Sequence, residues 1–351
     1  MTAATEPPVR IAVAGLGLIG RAHARLVRDC PGTRLAAIVD PRDEAREAAA
    51  NLGAPWHPDL DALLATDRPD GVVLATPNAL HVAGALACIA AGIPVLVEKP
   101  LADDVAGARR IAEAARAAGV PVLVGHHRRH SPLMARAREI VASGRLGRIT
   151  AVNGLCWFRK PDAYFEAAPW RREPGGGVVL INLVHVVDDL RNLCGDVAEV
   201  QAVASSAARG FPVEDTAAVI LRFANGALGT LSISDAVTAP WSWEMTSGEN
   251  PAYPRTSEAC YLLGGTEGSL SVPRLEVWRH GDERAWFGPL TTQRAIAPDT
   301  DPLGLQVLHF RDVVRGARPL IDADEGAKTL ETTLAVLAAA AQAGQPVFIG
   351  S

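Results

Sequence analysis

Up to about Val124, short continuous apolar runs alternate with longer Ala- and Arg-rich stretches of helical periodicity. Val9–Ala14, Leu35–Val39, Gly71–Ala75, Pro94–Val97 and Pro121–Val124 read as strands. Leu18–Arg28, Arg42–Leu52, Asn78–Ala91 and Asp103–Ala118 read as the helices between them. The runs Val-Val-Leu-Ala and Pro-Val-Leu-Val lack polar alternation, as strands covered on both faces should. This alternation predicts an α/β domain built on a doubly wound parallel sheet.

Past Arg136 the period changes. Thr150–Phe158, Glu199–Ser205, Ala217–Phe223 and Ala227–Ser234 read as strands of an open sheet, and Asn225-Gly226 is a hairpin signal between the last two. Helices are expected at Val178–Cys194, Leu305–Arg315 and Asp324–Ala343. The chain therefore divides into an α/β domain over 1–126 and a C-terminal α+β domain with an open mixed β-sheet over 127–351.

Composition narrows the class. At 48% hydrophobic and 21% charged residues, the chain can bury a sizeable core. A net charge of −5 with no dense Lys/Arg run argues against nucleic acid as a partner. The longest apolar helical stretch, Leu334–Ala343, is too short to span a bilayer. The opening MTAATEPP lacks Arg and Lys and reads as a short disordered leader, not a signal peptide. Five scattered cysteines with no C-x-x-C pair fit reduced thiols in the cytoplasm.

Gly15-Leu16-Gly17-Leu18-Ile19-Gly20 is a G-x-G-x-x-G after a strand and before a helix. Gly15 suits the tight turn, Gly17 a close pyrophosphate, and Gly20 close helix–strand packing of the Rossmann type. Asp40 ends the second strand, 25 residues past Gly15, where a carboxylate accepts hydrogen bonds from an adenosine ribose. That favours NAD over NADP, while Arg42 leaves a 2′-phosphate possible.

Two segments carry candidate chemistry. Glu98-Lys99-Pro100 follows the strand Pro94–Val97, on the edge of an α/β sheet where ligands bind. An ammonium there can polarise a substrate hydroxyl. Gly175-Gly176-Gly177 opens the helix whose polar stripe holds Asn182, His185, Asp188, Asp189 and Asn192. The glycine run is expected to let a ligand approach the backbone. His185 is the natural general base, and Asn182 or Asp188 can orient hydroxyls.

Thr76–His81 (TPNALH), Glu98–Pro100 (EKP) and the GGG-x4-N-x-x-H-x-x-D of Gly175–Asp188 together resemble the Gfo/Idh/MocA oxidoreductases, from Val9 to Ala343. The resemblance implies a Rossmann domain joined to an open-sheet domain used for substrate binding and oligomerisation, as a homodimer or homotetramer. It implies Lys99 and His185 as the catalytic pair, with Lys99 holding the hydroxyl and His185 taking its proton. Thr76, Asn78, His81, Glu98 and Lys99 would border the dinucleotide, and a cis Lys99–Pro100 peptide would fit. The substrate would be a sugar, sugar acid or cyclitol. Family members often carry Asp four residues before the histidine; Ile181 stands there in this chain, which shifts any carboxylate contact to a residue such as Asp188. The same parts would serve a keto-sugar or imine reductase, redox-assisted glycoside cleavage, or a non-catalytic NAD-binding sensor.

His126, His127, Arg128, Arg129 and His130 cluster after the fifth strand. Their spacing matches no zinc site, so no metal is expected. His127 is a candidate pocket wall, and Arg128 and Arg129 are candidates for interdomain ion pairs. Trp157, Arg159, Lys160, Tyr164, Trp170 and Arg171 offer rings and cationic donors for a sugar. So does the loop with Trp243, Asn250 and Tyr253. Trp56, Trp278 and Trp286 are expected to pack in the core or on the sheet.

Overall fold

Val72–Leu74, Val95–Val97 and Val122–Val124 are buried without a polar break, and they lie side by side in a six-stranded parallel sheet. A computed structural model describes residues 6–281 and 285–350; most of the expected leader, residues 1–5, falls outside the described residues. The strands are β1 (Val9–Ala14), β2 (Thr33–Val39), β3 (Trp56–His57), β4 (Gly71–Leu74), β5 (Val95–Val97) and β6 (Val122–Val124), in the order β3-β2-β1-β4-β5-β6. Helices α1 (Leu18–Asp29), α2 (Glu44–Asn51), α3 (Leu60–Thr66), α4 (His81–Ala90) and α5 (Val105–Ala118) connect them. Local chemistry sets their ends. Asp104 caps α5 by accepting the Gly107 N–H at 2.6 Å, and Gly119 stops it in the left-handed region at φ +65°.

Through His127, and again over Pro302–Leu330, the chain belongs to one compact unit; Arg128–Asp301 and the residues from Glu331 belong to a second. Division at residue 126 had placed 302–330 with the second domain. The reason for the return is packing. Phe310 and Val314 of the helix Pro302–Val314 crowd the site of Gly71, and the Val124 N–H donates to the Ile321 carbonyl at 2.9 Å.

The second unit contains α6 (Pro132–Ala142), β7 (Ile149–Trp157), α7 (Asp162–Glu166), α8 (Val184–Cys194), β8 (Val197–Ser205), β9 (Thr216–Phe223) and β10 (Leu228–Ser234). α9 (Trp243–Thr246), β11 (Tyr261–Gly265), β12 (Ser269–Val272), β13 (Glu276–His280), β14 (Leu290–Arg294) and β15 (Val347–Phe348) complete it, with part of the C-terminal helix Ala323–Ala341. Its nine-stranded sheet runs β14-β13-β12-β11-β7-β10-β9-β8-β15, mixed because β10 pairs with β7 in parallel. Val186, Val187, Leu190 and Leu193 of α8 join Leu221, Leu231 and Tyr261 in its core. The Asn225-Gly226 hairpin forms as expected, with Gly226 at φ +90° and the Ala227 N–H on the Asn225 side chain at 3.1 Å.

Three more readings change. Val178–Cys194 is not one regular helix: a π-helical turn over Val179–Leu183 precedes α8. Strands β11 to β14, the short β3 and β15, and helices α3, α6, α7 and α9 were not foreseen. Trp286, expected in packing, is 97% exposed.

Candidate active site

The glycine loop divides its labour. Gly15 has φ +89°, and a side chain there would strike the Ala75 carbonyl; one on Gly20 would strike the Gly15 carbonyl. These two glycines let β1, β4 and α1 close on one another. A Cβ on Gly17 would meet nothing within 4 Å, which keeps the loop bare on one side. Gly17 is also the N-cap of α1 without a side-chain cap, so first-turn N–H groups stay available for an anion. Leu18 and Ile19 in that turn are exposed.

Asp40, buried at the end of β2, accepts the Leu16 N–H at 2.8 Å and so ties the second strand to the glycine loop. Arg42 grips the same carboxylate with Nε and Nη2, both at 2.8 Å. Burial alone would raise this carboxyl, but Arg42 and the Leu16 N–H hold it below the usual range. Arg42 is therefore engaged with Asp40, not presented as a free phosphate ligand.

Lys99 stands two residues beyond the end of β5, and its peptide to Pro100 is cis. Both neighbours are held. Glu98 is buried, takes a 2.7 Å hydrogen bond from His23 Nε2, and accepts the Lys99 N–H at 3.2 Å. Gly125 packs so closely on it that a Cβ would lie 3.0 Å from Oε1. Burial pushes the Glu98 carboxyl up, but His23, with the charges of Lys99 and His127, brings it below the ordinary value. His81 places Nδ1 2.9 Å from the Pro100 carbonyl and Nε2 3.0 Å from that of Thr76. Glu98 and His81, expected among the dinucleotide contacts, thus direct their polar atoms at the protein itself. Thr76 differs: its buried Oγ1 has no partner among the described residues. Asn78 begins the 3-10 turn Asn78–Leu80, half-buried. His127 opens the turn His127–His130 near Glu98.

In the second unit, Glu214 fastens the glycine-led helix. Its Oε1 accepts the Val179 N–H at 3.0 Å, and its backbone carbonyl accepts the Val178 N–H at 3.2 Å. A side chain on Gly177 would collide with that carboxylate, and one on Gly176 with the backbone at Arg171. Those two glycines serve the protein's own packing, whereas a Cβ on Gly175 would meet nothing within 4 Å. Asn182 lies in the π turn with a buried Oδ1 that has no partner among the described residues, and His185 is buried in the first turn of α8. Trp157 donates to Ser232 Oγ at 2.9 Å and meets the Trp241 ring edge-on at 5.8 Å.

Asp188 is 1% exposed, and both its oxygens accept from Arg129, at 2.7 and 2.9 Å. Both oxygens of this carboxylate thus turn toward the protein's own guanidinium. Its neighbour Asp189 bonds Arg128 at 3.0 Å and Tyr261 at 2.8 Å, while Arg128 also reaches Glu244 at 2.6 Å and lies over the Trp243 ring. Arg128 and Arg129, read as interdomain, pair inside the second unit. Lys160 is likewise taken, by buried Asp235 at 3.0 Å. Among the described residues, no group of three or more His, Cys, Asp or Glu is arranged to hold a metal ion.

Residues 9–126 match the model of the oxidoreductase family with an NAD-binding Rossmann fold, and 134–271 match the GFO/IDH/MocA C-terminal domain. The chain belongs to the Gfo/Idh/MocA family. It is 32% identical over 291 residues to a 1,5-anhydro-D-fructose reductase of Ensifer adhaerens, covering 80% of each chain. It is 35% identical over 229 residues to an inositol 2-dehydrogenase of Mycolicibacterium gilvum, covering 62% of each. The solved WlbA dehydrogenase of Bordetella pertussis, in complex with NADH and UDP-GlcNAcA, superposes with a TM-score of 0.80 at 26% identity over 98% of this chain and 99% of that one.

As a Gfo/Idh/MocA member, the protein is an NAD-dependent oxidoreductase. The bare face at Gly17, the uncapped start of α1 and the unpartnered Thr76 oxygen fit that cofactor. Sequence reasoning missed His23, Glu214 and the Arg128–Asp189 pair. Only the last left a trace, as adjacent arginines and adjacent aspartates.

Proposed function

We propose that the chain transfers a hydride between NAD and a CH–OH group of a sugar, sugar acid or cyclitol, with Lys99 and His185 as the acid–base pair. The observation that carries this is the held turn at Glu98–Pro100, which presents a lysine at the carboxyl end of a strand in the sheet that bears the dinucleotide loop. The relatives' names favour hydroxylated ring substrates. When bound, the nicotinamide supplies a two-electron hydride acceptor. Lys99 donates a hydrogen bond to the reacting oxygen and stabilises the charge that grows there. His185 takes the hydroxyl proton, and Asn182 Oδ1 accepts from a second hydroxyl. His127 and Trp157 stay candidate pocket walls. Ile181 stands at the usual acidic position and Asp188 is bonded to Arg129, which favours a polyol other than inositol. Incubation with NAD and a panel of aldoses, sugar acids, anhydrosugars and inositols should raise reduced-nicotinamide absorbance for at least one. Silence across that panel, and across the matching ketoses with NADH, would remove the reading.

The partner we propose is a second copy of this chain, on the open sheet face, in the cytoplasm. Ile220, Thr230, Asn153 and Leu262 form one row across β9, β10, β7 and β11, and Ile220 and Leu262 are about half exposed. Val203 and Leu228 add to the same face. Light scattering is expected to give a dimer or tetramer mass, and Leu262→Lys to lower it; a single-chain mass for the native protein would refute the pairing. No helix among the described residues is long and apolar enough to cross a membrane.

A further inference from the structure

Two histidines with 0% exposure flank the turn that carries Lys99. His23, on the buried face of α1, reaches Glu98; His81, first residue of α4, reaches Pro100. Packing does not account for either. A leucine would fill both places without the cost of burying an imidazole. We propose that His23 and His81 are positioning residues for Lys99, one gripping the residue before it and the other the residue after it. This rests on reading Lys99 as the group that holds the reacting hydroxyl.

The chemistry of each grip is defined. A carboxylate only accepts, so His23 Nε2 must carry a proton toward Glu98. His23 Nδ1 is buried with no partner among the described residues, and an unmet lone pair costs less there than an unmet N–H. His23 is therefore assigned the Nε2–H tautomer. His81 faces two carbonyls, but burial, outweighing those two contacts, holds it toward the neutral form. One ring nitrogen then donates; with the proton on Nδ1, the imidazole holds the Pro100 carbonyl at 2.9 Å and only abuts that of Thr76. Lysine has a long flexible stem, so its ammonium can be placed only if its backbone is. With Glu98 tied to α1 and Pro100 to α4, the backbone on both sides of Lys99 is fixed by the helices that follow the two dinucleotide-facing turns.

The test uses the full chain. Histidine-selective 15N NMR of the native protein at about pH 7 should show one ring, absent in His23→Gln, with a protonated Nε2 and a bare Nδ1. The opposite tautomer would overturn the assignment without any substrate. In parallel, His23→Leu and His81→Leu should lower turnover of the best polyol about a hundredfold, the scale of a small misplacement. NAD affinity should hold within about threefold. His23→Gln, whose amide N–H can still meet the Glu98 carboxylate, should restore most of the rate. Turnover untouched in both leucine variants, or affinity and turnover falling together, would defeat the proposal. Should the leucine variants not fold, the tautomer and His23→Gln decide. Lys99→Ala is measured alongside. If it alone loses turnover, the clamp fails and the lysine reading stands; if it keeps turnover, the lysine reading fails.

Discussion

Replacing Lys99 with alanine is expected to lower turnover of the best polyol by about a hundredfold to ten-thousandfold, with NAD affinity unchanged within about threefold. In the proposed reaction the oxygen carries alkoxide-like charge from the time its proton begins to leave until the hydride has gone, so a fixed ammonium would bind it more strongly in the transition state than in the ground state. Such an interaction is felt in kcat. Lys99→Arg should not rescue, because a planar guanidinium is longer and cannot occupy the ammonium's place. His185→Asn should produce a loss of similar order, since the proposed base is gone. Cofactor titration of each variant separates binding from chemistry. Normal rates in both would mean that the proposed pair does not act.

The second large effect concerns stability. Arg128, 3% exposed, holds buried Asp189 at 3.0 Å and half-buried Glu244 at 2.6 Å. Arg128→Leu should destabilise by about 3–5 kcal/mol, because it leaves a buried and a half-buried carboxyl without their cationic partner. In thermal melts that is a fall of order 10 °C for a unit of this size. The pH dependence has a definite sign. Burial lifts the Asp189 carboxyl to about 7 even with Arg128 beside it. The folded state thus keeps a proton that the unfolded chain begins to release near pH 4. Stability contributed at this site falls as pH rises from there to about 7. Without Arg128 the burden of Asp189 grows, so the deficit should be smaller at about pH 5 than at about pH 8. Urea midpoints at the two values check this. A triple replacement of Arg128, Asp189 and Glu244 by apolar residues should recover much of the loss. A single variant as stable as the native chain would show the network to be ornamental.

The first unit was legible because its strands are covered on both faces. Val72–Leu74 and Val95–Val97 have no polar position to confuse the period, and the glycine fingerprint lies where strand meets helix. The second unit was legible only in its long strands. β11 contains Gly264 and Gly265, and β14 is exposed along its whole length, so neither shows apolar alternation. The π turn is invisible for another reason: one extra residue in a helical turn hardly disturbs a 3.6-residue stripe. Lys99, His185 and Asp40 could be singled out because each adjoins a local signal. His23 and Glu98 are 75 residues apart, and nothing in either neighbourhood announces the other. Asp188 gave no sign of its partner, because a polar stripe on a helix looks the same whether water or Arg129 covers it.

The chain's return to its first unit has a practical consequence for anyone wishing to cut it. A fragment ending at residue 127 would lose the helix Pro302–Val314 that lies on Gly71, and the Ile321 carbonyl that receives the Val124 amide. It would be left with raw apolar surface and a frayed edge strand. A workable nucleotide-binding module must be sewn from two discontinuous pieces, and a chimera between relatives has to exchange both together.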